Sequence, residues 1–253
     1  MISLLEIRIE KTSDAIITIN SSSLFQGVLF DKIDFEYGDK LHLSQLKPYS
    51  QYLMIEENII VWRILALNEE FFEHVVSKLL LDDFNKIYIS HRNIELNIIS
   101  KQIYISSYQQ LVEKYYFGNC SRYITIRFAT PTAFKSNGKY VFYPNIRFIF
   151  QSLMKKFDAY CTENEIGSLE LLDDIEANVE IIDYRLRSYK FHLEGVKIPS
   201  FMGQITLKIN GPQQMANIVH MLIRFAEYSG VGIKSAIGMG GINVVERSSR
   251  KNE

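Results

Sequence analysis

Polar and apolar positions change period along this chain in an order that is used twice. Leu4, Ile7 and Ile9 stand among charged neighbours, as in a strand with one buried face. A helix follows with Leu24, Val28, Leu29 and Ile33 on one side, and the hydroxyls of Ser21 to Ser23 are placed to cap it. Residues 52–55 and 59–67 predict a hairpin that turns at Glu56-Glu57-Asn58. Asn68 starts a second helix, with Phe72, Val75, Val76 and Leu79 at helical spacing, and a strand over 94–105 completes the unit. The order is β-α-β-β-α-β, the ferredoxin-like split unit.

The second half repeats it. A strand over 122–128 precedes a helix over 145–157 that Pro144 introduces. A hairpin of 179–193 and 201–209 turns around Gly195 to Pro199. Pro212 opens a helix carrying Met215, Val219, Leu222 and Phe225, Gly230 stops it, and 242–245 closes as a strand. The expected fold is α+β: two tandem ferredoxin-like domains, residues 1–116 and 117–253, joined near 106–119. A chain of 253 residues accommodates two domains of about 100 to 150 residues each.

Composition narrows the function classes. The apolar start is interrupted by Glu6 and Glu10, so neither a signal peptide nor a membrane anchor is expected. Cys120 and Cys161, without CxxC spacing, suit a reducing cytoplasm and argue against structural zinc. Net charge is only -1, but the charges are segregated. Residues 114–157 hold eight Lys or Arg and no acid; 158–184 hold nine acids and no base; from Arg185 onward the balance is ten bases to four acids. Folding that brings the two basic stretches together would make a face for a polyanion, whereas the plain alternative is a solvated surface.

The stretch from Gly230 to Gly241 is dense in glycine between a helix and a strand. Glycines let the main chain approach a ligand and aim N–H groups at phosphate, with Lys234 and Ser235 inside the loop. A dinucleotide fingerprint fails, because Ser235 takes the third glycine position and the strand comes after the loop. Pattern alone leaves a tight turn and a phosphate cradle both open.

The string FAEYSGVGIKSAIGMGGINVV resembles the C-terminal signature of the CRISPR-associated endoribonucleases that cut precursor CRISPR RNA within its repeats, a family of the RAMP superfamily. Its Gly-x-Gly-x5-Gly-x-Gly pattern is met at Gly230, Gly232, Gly238 and Gly240. Thr130-Pro131-Thr132-Ala133-Phe134, Pro144 and the Gly195 to Gly203 hairpin are also similar to that family. So are Gln26-Gly27-Val28-Leu29-Phe30 and the segment from Leu41-His42 through Lys47-Pro48-Tyr49.

The resemblance implies tandem ferredoxin-like domains and cleavage without a metal or other cofactor. In such enzymes the ribose 2′-hydroxyl attacks the adjacent phosphate, leaving 2′,3′-cyclic phosphate and 5′-hydroxyl ends. That chemistry needs a base, an acid and positive charge at the phosphorane. His42 is the leading general acid or base, and Lys47 the cation beside it. Many relatives carry a tyrosine where Phe30 stands; phenylalanine has no proton to give, so Tyr37 or Tyr49 is considered for the hydroxyl. His91 is a reserve. For holding RNA the candidates are Gly230, Gly232, Lys234, Ser235, Gly238 and Gly240, with Arg185, Arg187, Lys190 and Lys197. The implied partner is CRISPR repeat RNA. Effector-complex subunits and a homodimer are left open by the sequence. Two rivals stand beside this reading: the same fold as an inactive repeat-RNA-binding subunit, and a tandem ferredoxin-like protein for a small molecule.

Overall fold

The computed structural model describes residues 1–11, 16–161 and 165–246, except the side chain of His91. The reserve role for His91, and the charges of Glu163, Arg247, Arg250, Lys251 and Glu253, therefore lie outside the described residues.

The chain begins with β1 (Ile2–Glu10), α1 (Ser22–Phe30) and α2 (Phe35–Leu43), then the hairpin of β2 (Tyr49–Ile55) and β3 (Ile59–Ala66). Next, α3 (Glu69–Phe71) passes through a π-helical turn (Phe72–Val76) into α4 (Ser77–Leu80). The strands β4 (Lys86–Ile89) and β5 (Ile94–Ser106) finish a sheet ordered β2-β3-β1-β5-β4. Removing edge strand β4 leaves the ferredoxin-like order. Leu5, Ile7 and Ile9 of β1 and Trp62 and Ile64 of β3 bury one face against Phe25, Leu29, Phe71, Val75 and Leu79.

After α5 (Tyr108–Leu111) and a π-helical turn (Val112–Tyr116), the second unit repeats the plan. It contains β6 (Tyr123–Thr132), a small hairpin of β7 (Phe134–Ser136) and β8 (Lys139–Val141), α6 (Ile146–Tyr160) and α7 (Leu169–Asn178). The long hairpin of β9 (Val179–Leu193) and β10 (Val196–Ile209), α8 (Gln213–Ser229) and β11 (Ile242–Val245) follow. The sheet order is β11-β6-β10-β9, again the ferredoxin-like arrangement. The tandem architecture read from periodicity is what the chain adopts. No described helix is long and apolar enough to cross a membrane.

Local details differ from the sequence reading. Ser21 does not cap α1; its Oγ accepts a hydrogen bond from the Thr18 N–H at 3.1 Å, and the Ser22 hydroxyl donates to the Ile19 carbonyl. The hairpin turn tightens to Glu194-Gly195, both with positive φ, so β10 starts at Val196 rather than at Phe201. Asn68 does cap its helix, accepting from the Phe71 N–H at 3.0 Å. The linking helix belongs physically to the second core: Tyr108 packs edge-on against Phe157 and donates its hydroxyl to the Leu67 carbonyl at 2.9 Å.

Candidate functional site

His42 lies within a helix. It occupies the last turn of α2, a helix that Asp34 starts by accepting a hydrogen bond from the Tyr37 N–H at 2.9 Å. Glu36 in the first turn and Lys40 and His42 in the last suit the helix dipole. His42 is exposed, and its ring lies beside that of Phe30 at the end of α1, 5.1 Å between centroids. Phe30 thus supports the imidazole from the side.

Lys47 is close to His42 along the chain but is occupied. Its Nζ donates to the carbonyls of Leu41, of Ser44 at 2.8 Å and of His42 at 3.3 Å, capping the C-terminus of α2. Partial burial lowers its pKa from the ordinary lysine value. It fixes the turn that presents His42 and leaves positive charge beside it.

The two tyrosines considered for the missing hydroxyl are core residues instead. Tyr37 is 4% exposed, stacks on His74 at 4.2 Å, and its hydroxyl has no hydrogen-bond partner among the described residues. Tyr49 is 1% exposed, stacks on Phe71 at 4.4 Å and accepts a hydrogen bond from Gln26 Nε2 at 3.0 Å. Burial pushes its pKa up to about 12. Helical spacing from Tyr37 to Leu41 turns both inward, which the sequence reading overlooked.

The glycine-rich loop faces protein. A Cβ added at Gly232 would lie 2.3 Å from the Ala133 carbonyl oxygen, at Gly238 2.1 Å from Ser22 Cβ, and at Gly240 2.0 Å from the Val231 carbonyl oxygen. At Gly230 it would come within 3.1 Å of the Gly240 carbonyl oxygen. The N–H groups are used internally as well: Gly240 donates to Pro131, Ile233 to Ala133, Gly241 to the Thr130 hydroxyl and Gly232 to the Ser152 hydroxyl. The loop is therefore a weld between the segment 130–134 and the first domain. Gln51, wholly buried, completes that weld by donating to the carbonyls of Ser22 at 2.9 Å and Ala236 at 3.3 Å while accepting from Trp62 Nε1. Lys234, in a left-handed conformation with φ 58, is the one exposed residue between 230 and 241.

Beneath the loop lies a residue no sequence pattern flagged. Lys156 of α6 is 7% exposed, and its Nζ donates to the carbonyls of Ser229 at 2.9 Å and Gly230 at 3.1 Å and to Ser235 Oγ at 3.0 Å. Ser235 is thus tied inward. No carboxylate pairs with Lys156 among the described residues, and burial lowers its pKa from 10.5 to about 7. Between those two values the unfolded chain binds the proton that the folded chain has lost. Stability from this group therefore rises with pH from about 7 to 10.5 and is level below. Chemical denaturation at several pH values should show a slope that Lys156→Met removes, on the order of a few kcal/mol in all. Equal slopes in the two proteins would contradict the burial of a titrating amine.

The basic residues divide by face. Arg185 and Arg187 share the open face of the second sheet, where Arg185, Gln204, Arg127 and Asn243 stand in register across four strands. Asn243 Oδ1 accepts a hydrogen bond from Arg63 of β3 at 2.8 Å, so the open faces of the two sheets meet there. Arg63 is paired with Glu6 at 2.9 Å, whereas Arg127, Arg185 and Arg187 are exposed. Lys190 and Lys197 are exposed on the opposite face near the hairpin tip. Arg127 was absent from the sequence-based set; its place in the basic stretch and the alternation of β6 were the available signals.

The exposed and charged candidates thus form separate groups: His42 with Lys47, Lys234 in the loop, the arginines of the open sheet, and Lys190 with Lys197 near the hairpin tip. The first two stand at the two ends of α1, because the loop packs on Ser22 and His42 on Phe30, about 12 Å apart along the axis.

Comparison with known proteins shows the family. Residues 126–242 match the family model for the CRISPR-associated endoribonuclease Cas6. A Streptococcus thermophilus protein named CRISPR-associated endoribonuclease Cas6 is 33% identical over 229 residues, 88% of this chain and 90% of the relative. The chain belongs to the Cas6 family. A Cas6 endoribonuclease of Mycobacterium tuberculosis is 30% identical over 89% of this chain and 72% of its own length. Among solved structures, a Cas6 product complex superposes with TM-score 0.80 at 20% identity, covering 97% of this chain and all of that one (100%). Thermus thermophilus Cas6 gives 0.76 at 20% identity, over 97% and 98% of the two chains. The Cas6 match spans the weld, since it contains both the segment 130–134 and the glycine-rich loop.

Proposed function

We propose that this chain is a metal-independent endoribonuclease that cuts precursor CRISPR RNA within its repeats. The observation that carries the reading is His42. It is an exposed imidazole on a capped helix end, with Lys47 fixing its backbone and Lys234 exposed at the other end of α1. The RNA supplies its own nucleophile, the ribose 2′-hydroxyl beside the scissile phosphate. His42 transfers a proton to or from the reacting oxygens, the part an imidazole plays well near neutral pH. Among the described residues no three His, Cys, Asp or Glu side chains converge as metal ligands.

RNA is held by the exposed cations. Lys234→Ala should weaken RNA binding about uniformly across sequences and reduce the dependence of log Kd on log salt by roughly one contact. Filter binding at several salt concentrations measures both. An unchanged slope would remove Lys234 from the interface.

One observation favours a second reading, an RNA-binding subunit without turnover. Phe30 lacks a hydroxyl, and both alternative tyrosines are buried. Incubating purified protein with labelled repeat RNA in excess EDTA separates the two. A single discrete cut supports the nuclease; tight binding without product supports the subunit.

A further inference from the structure

We infer that Tyr160, a residue of the second domain, is a positioning residue for His42 of the first. The inference rests on the assignment of His42 above. The Tyr160 hydroxyl donates to the Leu46 carbonyl, which also accepts from the Ser44 hydroxyl. The same five-residue connection between α2 and β2 is also held by its own Lys47, whose Nζ binds the carbonyls of Leu41, His42 and Ser44. Tyr160 is therefore the outer anchor of a connection whose inner tie, through Lys47, reaches the carbonyl of His42 itself.

The helix that carries Tyr160 gives this anchor a purpose. Lys156, four residues earlier and so on the same face of α6, grips Ser229 at the end of α8 and Gly230 and Ser235 of the glycine-rich loop. One stretch of α6, about 6 Å long, thus holds both the loop that bears Lys234 and the connection behind His42. RNA bound by cations of the second domain must present one phosphate to an imidazole of the first, and misplacement by about 1 Å costs rate steeply. A rigid tie between the two holds that register. Burial pushes the Tyr160 pKa up to about 12, so the hydroxyl keeps its proton at neutral pH and remains a donor. Its ring is half-buried, so Tyr160→Phe keeps the packing and removes only the hydrogen bond.

The test is single-turnover cleavage of repeat RNA by the full chain, with RNA Kd and thermal midpoint measured on the same samples. For Tyr160→Phe the expected rate at saturating protein falls about five- to tenfold, as loss of one hydrogen bond implies, with Kd unchanged within about twofold. A wild-type rate would overturn the role. So would a rate that falls only in proportion to Kd and thermal midpoint, since that is the mark of a packing residue. His42→Ala in the same assay separates the two readings. Full cleavage by His42→Ala overturns the assignment of His42 and this inference with it, whereas loss there beside a wild-type rate in Tyr160→Phe overturns Tyr160 alone.

Discussion

Replacing His42 by alanine is expected to slow repeat-RNA cleavage about 100- to 10,000-fold while leaving RNA affinity within about twofold. The size follows from removing an acid–base group that acts in the transition state and contributes little to ground-state binding. The selectivity follows from position. His42 is exposed, with its ring beside Phe30, so its loss should change stability by no more than about 0.5 kcal/mol. Single-turnover rates, Kd and thermal unfolding of the same preparation check all three. A rate reduced less than tenfold would move the acid–base role elsewhere.

The second large effect is structural and falls on the glycines. Gly240→Val should cost about 4 kcal/mol or more, enough to lower the thermal midpoint by roughly 10 °C or to prevent folding. Its φ is 72, and a Cβ would meet the Val231 carbonyl oxygen at 2.0 Å, a backbone atom with no freedom to move aside. Gly238→Val should behave similarly, because Ser22 of α1 lies 2.1 Å from the position of the new Cβ and φ is 114. Gly195→Ala is the control: φ is 80 but nothing lies within 4 Å, so only the left-handed backbone is penalised, by about 1 to 2 kcal/mol. Should Gly240→Val fold normally and fail only to bind RNA, the loop would be a phosphate cradle after all.

Much of the fold was legible because each core element carries a full amphipathic stripe with punctuation at its ends. α8 shows this best, with Pro212 before it and Gly230 at its end. What escaped were short or unevenly striped elements. α2 buries only Tyr37 and Leu41 while Phe35 and Leu43 face solvent, so its period is blurred, although the Asp34 cap was there to be read. β4 is four residues long, too few for alternation to stand out. α7 buries Leu172 and Ile175 behind a run of acids that read as charge, with Ser168 as an unused start signal.

The candidate site was legible in part, and for a physical reason. A glycine needed for close approach looks the same in sequence whether its neighbour is a phosphate or another stretch of chain. The segment 130–134 and the glycine-rich loop, both of which carry the family resemblance, hydrogen-bond to each other through Pro131, Ala133 and Thr130. Lys156 and Tyr160 read as the polar side of a helix; only tertiary placement shows that their donors end on the glycine loop and on Leu46. His42 and Lys47 were found by resemblance, but the commitment of Lys47 to three carbonyls depends on α2 ending at Leu43.

Cleavage by the RNA's own 2′-hydroxyl, assisted by His42, is tested most directly by the chemistry of the cut ends. Repeat RNA cleaved by the purified protein in excess EDTA should carry a 2′,3′-cyclic phosphate on the upstream fragment and a free 5′-hydroxyl on the downstream one. Fragments ending in 3′-hydroxyl and 5′-phosphate, formed only when divalent metal is restored, would contradict it.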